Sequence, residues 1–250
     1  MNLFAAQDKV YNSILSRAIA RIGKRMARNA ITTQANVQSM LQLLLGTLCV
    51  VISPMSLSAL SRLIHIPCKD LRAVCEELHG ILNVPNNADD PLSFHESSFP
   101  QFLQEENRCQ EPGLRVDLEN MHSTMTKNCI TLLSNFLKED LFSVRSPGVF
   151  ASSITIPQLE RIFPPEMQYA CLSWTQHLDK GITKLGPICQ ILEFMKTHLL
   201  HWLEALSWLR RFDYAAYALQ TLIELASVRS PNSPNDYLLT FIRIRRILVL

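Results

Sequence analysis

A mainly α-helical fold is what this sequence predicts, on three observations. Apolar residues recur every three or four positions over most of the chain, one short stretch alone changes to a two-residue period, and only seven of the 250 residues are glycine. Apolar residues make up 48% of the chain and charged ones 18%, with a mean hydropathy of +0.09. That is too apolar for a disordered chain and too evenly mixed for a polytopic membrane protein, and the length suffices for one large domain or two small ones.

Residues 1–29 carry Lys9, Arg17, Arg21, Lys24, Arg25 and Arg28 against a single acid, Asp8. With Val10, Ile14, Leu15, Ala18 and Ile22 as its apolar stripe, this segment reads as a helix with a basic outer face. An Arg-rich, acid-poor start also resembles a mitochondrial presequence, but nothing else in the sequence points to an organelle. A turn-rich stretch over 29–37 closes it.

The longest apolar run, Leu41 to Ile52, is interrupted by Gln42, Gly46 and Thr47 and stopped by Pro54. A membrane span needs roughly 20 apolar residues, so the run reads as a buried core helix from about Val37 to Ser53. A short helix follows around Ser56–Ile64, with Leu57, Leu60 and Leu63 at every third position. A third opens after Pro67, places Leu71, Val74, Cys75 and Leu78 on one face, and ends at Gly80, where a left-handed cap is easiest. The period then changes. Ile81-Leu82-Asn83-Val84 and Pro91-Leu92-Ser93-Phe94-His95 are strand candidates on either side of a turn-rich stretch. Three helices followed by a β-hairpin is the order of a winged helix.

Polar or turn-forming stretches at 104–113, 143–157 and 229–235 read as linkers or loops. Between them the chain returns to a helical period. One stripe is Cys129, Leu132, Leu133, Phe136 and Leu137; another is Met167, Cys171, Trp174 and Leu178, entered through Pro164-Pro165. The longest runs Ile188, Ile191, Leu192, Met195, Leu199, Trp202, Leu203 and Leu206, and a last helix is expected from Asp213, its N-cap candidate, to Val228. The predicted organisation is therefore a basic amphipathic helix over 1–36, a winged helix over 37–108 and a helical domain over 109–250. The closing run FIRIRRILVL ends on bare apolar side chains, which points to truncation of the last domain.

The motifs exclude more chemistry than they suggest. Neither G-x-x-x-x-G-K-[ST] nor G-x-G-x-x-G occurs, so nucleotide chemistry by this chain alone is not expected. Net charge is only +2, and in the third helix Lys69 and Arg72 are offset by Asp70, Glu76 and Glu77, a poor balance for approaching phosphates. A winged-helix nucleic-acid-binding protein is the alternative reading. The seven cysteines are scattered without a C-x-x-C pair; most read as buried thiols of a reducing, cytoplasmic compartment, and no metal site is expected. His198, His201 and Glu204 fall at i, i+3 and i+6, which carries the third ligand about 240° around the helix from the first. Cys171, His177 and Asp179 lie on or beside one helix but point in different directions, so no catalytic residue is expected. Trp174 and Trp202 fit core stripes, whereas Trp208 sits at the edge of its stripe and is the partner-interface candidate.

Tyr169-Ala170-Cys171, Trp174 and His177-Leu178, followed by the run HLLHWLEALS over 198–207, resemble the helical region of fungal NACHT-type signal-transducing NTPases, the vegetative (heterokaryon) incompatibility receptors. Other pieces fall in the same order. Leu45-Gly46-Thr47 with Pro54-Met55-Ser56 and Leu60 resembles the opening of the family's winged helix, Leu82-Asn83-Val84 its hairpin, and Ser98-Phe99-Pro100-Gln101-Phe102-Leu103 the segment leaving the wing. The resemblance implies a P-loop domain before the winged helix, whose tail is the 1–36 helix, and a sensor repeat array after the helical region; neither lies in this sequence. It implies a non-catalytic regulatory and connecting segment, with a nucleotide-binding NACHT domain in cis or in a full-length relative as partner, no membrane, and ADP or ATP held only through that domain. In the family a His three residues before the Phe of a Ser-Phe pair reaches the β-phosphate. Here that position is Glu96, with His95 one place earlier, and a carboxylate facing a phosphate repels it. His95 and Glu96 are the nucleotide-sensing candidates.

Overall fold

A computed structural model describes residues 4–27, 34–141, 151, 154–181 and 189–229. The described part is mainly α, with ten helices and one two-stranded antiparallel hairpin. It divides into two compact units, Met1–Met121 and His122–Leu250.

The first unit opens with α1 (Ala5–Ala27), followed by α2 (Gln34–Val50), α3 (Leu57–Leu63) and α4 (Cys68–Glu77). Ser56 starts α3 as an N-cap, its hydroxyl accepting the Ala59 N–H at 3.2 Å. Strands β1 (Leu82–Asn83) and β2 (Ser93–Phe94) then pair with Leu82 opposite Phe94 and Asn83 opposite Ser93. A bridge between Ser56 and Pro91, with the Leu92 N–H donating to the Met55 carbonyl at 3.0 Å, ties the hairpin to the segment before α3. This is the helix–helix–helix–hairpin order expected of a winged helix. Leu41, Leu44, Leu45, Leu57, Leu60, Leu63, Leu71, Val74, Cys75 and Leu78 form its core, all fully buried.

Several details differ from expectation. Of the expected α1 stripe, Leu15, Ala18 and Ile22 are buried and Ile14 half-buried, but Val10 is 55% exposed; Tyr11 and Ile19 complete the buried face instead. The cap at Gly80 is not left-handed, since α4 stops at Glu77 with Leu78 as its cap. Gly80 is explained instead by close approach, because a Cβ there would stand 3.2 Å from Ile14 Cδ1. Ser98–Gln104 forms a further helix, α5, whose Phe99, Phe102 and Leu103 are buried. Tyr11 of α1 meets Phe99 and Phe102 edge-on, with ring centroids 4.9 and 5.2 Å away. The stretch 104–113, expected as a linker or loop, is a loop over 105–111, but Arg108 and Cys109 within it are buried, and a 3-10 turn over Pro112–Leu114 lies against α2.

The second unit begins within α6 (Leu118–Phe136) and continues with α7 (Ile156–Ile162), α8 (Pro165–Gly181), α9 (Cys189–Trp208) and α10 (Asp213–Arg229). The Gln158 side chain reaches back to the Thr155 N–H at 3.0 Å at the start of α7, and Pro165 opens α8 where a missing N–H costs nothing. α8 is the central element. Tyr169, Ala170, Cys171, Ser173, Trp174, Thr175, His177 and Leu178 are buried on successive faces, and the helix packs against α9 and α10. Met167 is half-buried rather than core. Gly181 ends α8 against the backbone of Ser123 and His122, where a Cβ would lie 2.7 Å from the His122 carbonyl carbon. Most of the expected 143–157 loop, Ile188, residues 230–235 of the last loop and the C-terminal run lie outside the described residues.

Candidate functional site

In the first unit the hairpin places His95 directly after β2, where its N–H donates to the Ile81 carbonyl at 2.9 Å and its Nε2 donates to the His79 carbonyl at 3.0 Å. A carbonyl only accepts, so these contacts fix His95 in the Nε2–H form. Glu96 follows, exposed, with its carbonyl accepting the Phe99 N–H at 3.2 Å as α5 begins. Phe99 itself is core. The two nucleotide-sensing candidates are therefore neighbours at the foot of the wing, the imidazole held by the turn and the carboxylate in solvent.

Beside His79 lies a groove of about 180 Å³ between α1 and the end of α4, lined by Ile14, Arg17, Ala18, Arg21, Glu77 and His79, with Gly80 at its edge. Arg21 reaches Glu77 at 3.4 Å and Arg25 reaches Glu76 at 3.8 Å, so the two glutamates that end α4 face the basic side of α1. Arg72 turns inward to donate to the Pro85 carbonyl at 3.3 Å. A helix presenting this surface offers little positive charge to a phosphate backbone. The sequence reading did not foresee the groove; the i, i+4 spacing of Arg17 and Arg21 was its one available signal.

In the second unit the 198–207 block is mostly structural. Trp202 is fully buried, donates its indole N–H to the Cys171 carbonyl at 3.0 Å, and packs edge-on against Trp174 with centroids 5.6 Å apart. Trp174 also meets Phe194 edge-on at 5.5 Å. Thr175 and Gln176 bond the Tyr214 hydroxyl at 2.9 and 3.2 Å, joining α8 to α10. Trp208 is half-exposed, with its indole N–H toward Glu204 at 3.4 Å. His198 stacks on Phe194 and its Nδ1 lies 3.4 Å from that of His201. Among the described residues no three His, Cys, Asp or Glu side chains are grouped to hold a metal ion.

His177 is engaged elsewhere than at Cys171. Its Nδ1 lies 2.8 Å from His122 Nδ1 and its Nε2 lies 2.7 Å from the Tyr169 hydroxyl, all three side chains being buried. Burial, with lesser contributions from His122 and Lys180, pushes the His177 pKa down to about 3, and burial followed by Lys180 lowers that of His122. The two imidazoles are neutral, one donating to the other. Burial likewise pushes up the thiols of Cys129 and Cys171, and raises those of Cys49 and Cys75 to about 12, so these sulfurs are protonated and poor nucleophiles. Cys49, Cys68, Cys75, Cys109, Cys129 and Cys171 are free thiols. No described helix is long and apolar enough to cross a membrane.

No protein-family model matches this chain, and no solved structure matches it. The vegetative incompatibility protein HET-E-1 of Podospora anserina is 23% identical over 194 residues, which covers 69% of this chain and 14% of that protein. The chain is thus distantly related to a fungal vegetative incompatibility protein and spans a small part of its length.

Proposed function

We propose that this chain is the non-catalytic regulatory and connecting segment of a fungal NACHT-like receptor. Its helices pack against a nucleotide-binding domain, supplied in cis or by a full-length relative, and transmit whether ADP or ATP is bound. The winged helix over 37–108 closes on that domain, the helical domain over 109–250 carries the change onward, and the 1–36 helix is the tail of the nucleotide-binding module. Work of this kind is mechanical: the nucleotide biases which of two packed arrangements wins.

The observation that carries the proposal is the distant relation to HET-E-1, joined to a fold in which three helices and a hairpin precede a separate helical unit. The charge balance of α4 favours a protein partner over DNA, because Lys69 and Arg72 are outnumbered by Asp70, Glu76 and Glu77 and Arg72 is bonded to the Pro85 carbonyl. Free thiols and the lack of a spanning helix among the described residues fit a cytoplasmic setting.

The test is titration of the purified chain against the nucleotide-binding domain of a fungal NACHT-type receptor, loaded with ADP or with a non-hydrolysable ATP analogue. Binding at least tenfold tighter to the ADP-loaded form is expected. Equal affinity for both forms, no binding to either, or retention of mixed-sequence duplex DNA at physiological salt would overturn the proposal.

A further inference from the structure

Helix α1 carries two rows of side chains with the same spacing. Tyr11, Leu15, Ala18 and Ile22, at i, i+4, i+7 and i+11, are buried within the first unit. The residues one place earlier, about 100° around the axis, form the second row: Val10, Ile14, Arg17 and Arg21, continued by Lys24. Alternate steps of four and three are the spacing of a coiled-coil seam, the row on which a second helix packs. This second row faces outward: Ile14 is half-buried and the other four side chains are exposed.

Its charge is of one sign. The single acid of the helix, Asp8, is buried and taken by Arg108 through bonds of 2.9, 3.1 and 3.2 Å, so it meets none of the outer cations. That this face accepts carboxylates is visible within the chain, since Arg21 and Arg25 each take one from the end of α4. Arg17 spends its Nε on the Ser13 carbonyl at 3.1 Å and, like Lys24, has no ion pair among the described residues. Beside the row runs the groove of about 180 Å³, with Ile14, Arg17, Ala18 and Arg21 on its α1 side. A pocket that encloses a small ligand measures about 300 Å³ or more, so this groove suits a side chain of a larger partner.

We propose that the row from Val10 to Lys24 is a docking surface for an acidic amphipathic helix of another protein. That helix lies along α1 over about 21 Å, with aliphatic side chains against Val10 and Ile14 and carboxylates one heptad apart facing Arg17 and Lys24. A nucleic acid fits less well. Its phosphates carry charge at every step and cannot skip Glu76 and Glu77, whereas a helix places its carboxylates at Arg17 and Lys24 alone. An anionic membrane fits less well too, because the apolar face of α1 that would enter lipid is already buried. The surface does not depend on the receptor role proposed above.

The probe is a synthetic alanine-based helix of about 21 residues, with two Leu and then two Glu set in the same four-three spacing. Its binding to the full chain is read by fluorescence anisotropy. The Glu peptide is expected to bind at least tenfold tighter than its Gln counterpart and to lose at least tenfold on the paired change Arg17→Glu and Lys24→Glu. A peptide with Lys in place of Glu is expected to bind that variant and not the parent chain, a recovery that separates a lost contact from a lost fold. Val10→Asp is expected to weaken the Glu peptide at least fivefold. No saturable binding, equal affinity for the Glu and Gln peptides, failure of the Lys peptide to recover binding, or an unchanged affinity in Val10→Asp would each overturn the proposal. Tighter binding of duplex DNA of about 20 base pairs or of phosphatidylserine vesicles would overturn it as well.

Discussion

Acidification is expected to weaken the second unit through His177. Its ring is buried at the crossing of α6 and α8, between His122 and Tyr169, with Lys180 as the nearest cation acting on it. In the folded chain the imidazole titrates only at about 3, against 6.5 when unfolded. As pH falls below 6.5 the unfolded chain takes up a proton that the folded chain refuses, so the stability present above that pH is progressively lost. Each pH unit in this window is worth about 1.4 kcal/mol for one such group, and going from about pH 7.5 to about pH 5 removes about 2 kcal/mol. His122, lowered in the same direction, adds to the loss. All three tryptophans of the chain, Trp174, Trp202 and Trp208, lie in this unit, so indole fluorescence during urea unfolding reports on it alone. With a urea slope of about 2 kcal/mol per molar, the midpoint should fall by about 1 M over that pH range. His177→Gln keeps a polar side chain but cannot titrate and should unfold with a much shallower pH dependence. A midpoint that holds steady toward pH 5, or a variant as steep as the parent chain, would refute the reasoning.

Gly181→Ala should cost at least about 2 kcal/mol by urea unfolding, since the new Cβ meets the rigid backbone of Ser123 and His122. Gly23→Ala, near the end of α1 with nothing within 4 Å of the added carbon, should instead stabilise by up to about 1 kcal/mol. Trp202→Phe removes the indole bond to the Cys171 carbonyl and part of a fully buried ring, for an expected loss of about 2 kcal/mol in the same fluorescence assay. Alkylation mapped by peptide mass should spare Cys75, Cys129 and Cys171 at neutral pH until denaturant is added, while half-buried Cys68 reacts before them; early labelling of the buried three would contradict the packing.

Much of the local structure was legible in the residues. A three-to-four-residue period is enough to mark a helix, and Leu57-Leu60-Leu63, the Pro164-Pro165 entry and the Trp174 and Trp202 stripes all lie where that period puts them. Period placed Leu15, Ala18 and Ile22 on the buried face of α1 but put Val10 at its start, where contact with Phe99 and Phe102 selects the adjacent Tyr11. Punctuation marked 104–113 as a loop but not that Arg108 within it is buried against α1, because a polar side chain is indistinguishable in sequence whether it meets water or a buried partner some 100 residues away. His95 and Glu96 were singled out only by what the resemblance implies about the positions before Phe99; the partner of His95, a carbonyl sixteen residues earlier, had no signal in the sequence.

What the sequence determined by itself is the kind of each element and its order, since propensity, period and caps act within a few residues of the chain. Which polar groups are buried, that Asp8 closes on Arg108 and that His177 lies between His122 and Tyr169, only the tertiary structure decided. The cost of burying charge and the reward of pairing it depend on partners far along the chain, and no local rule encodes that distance.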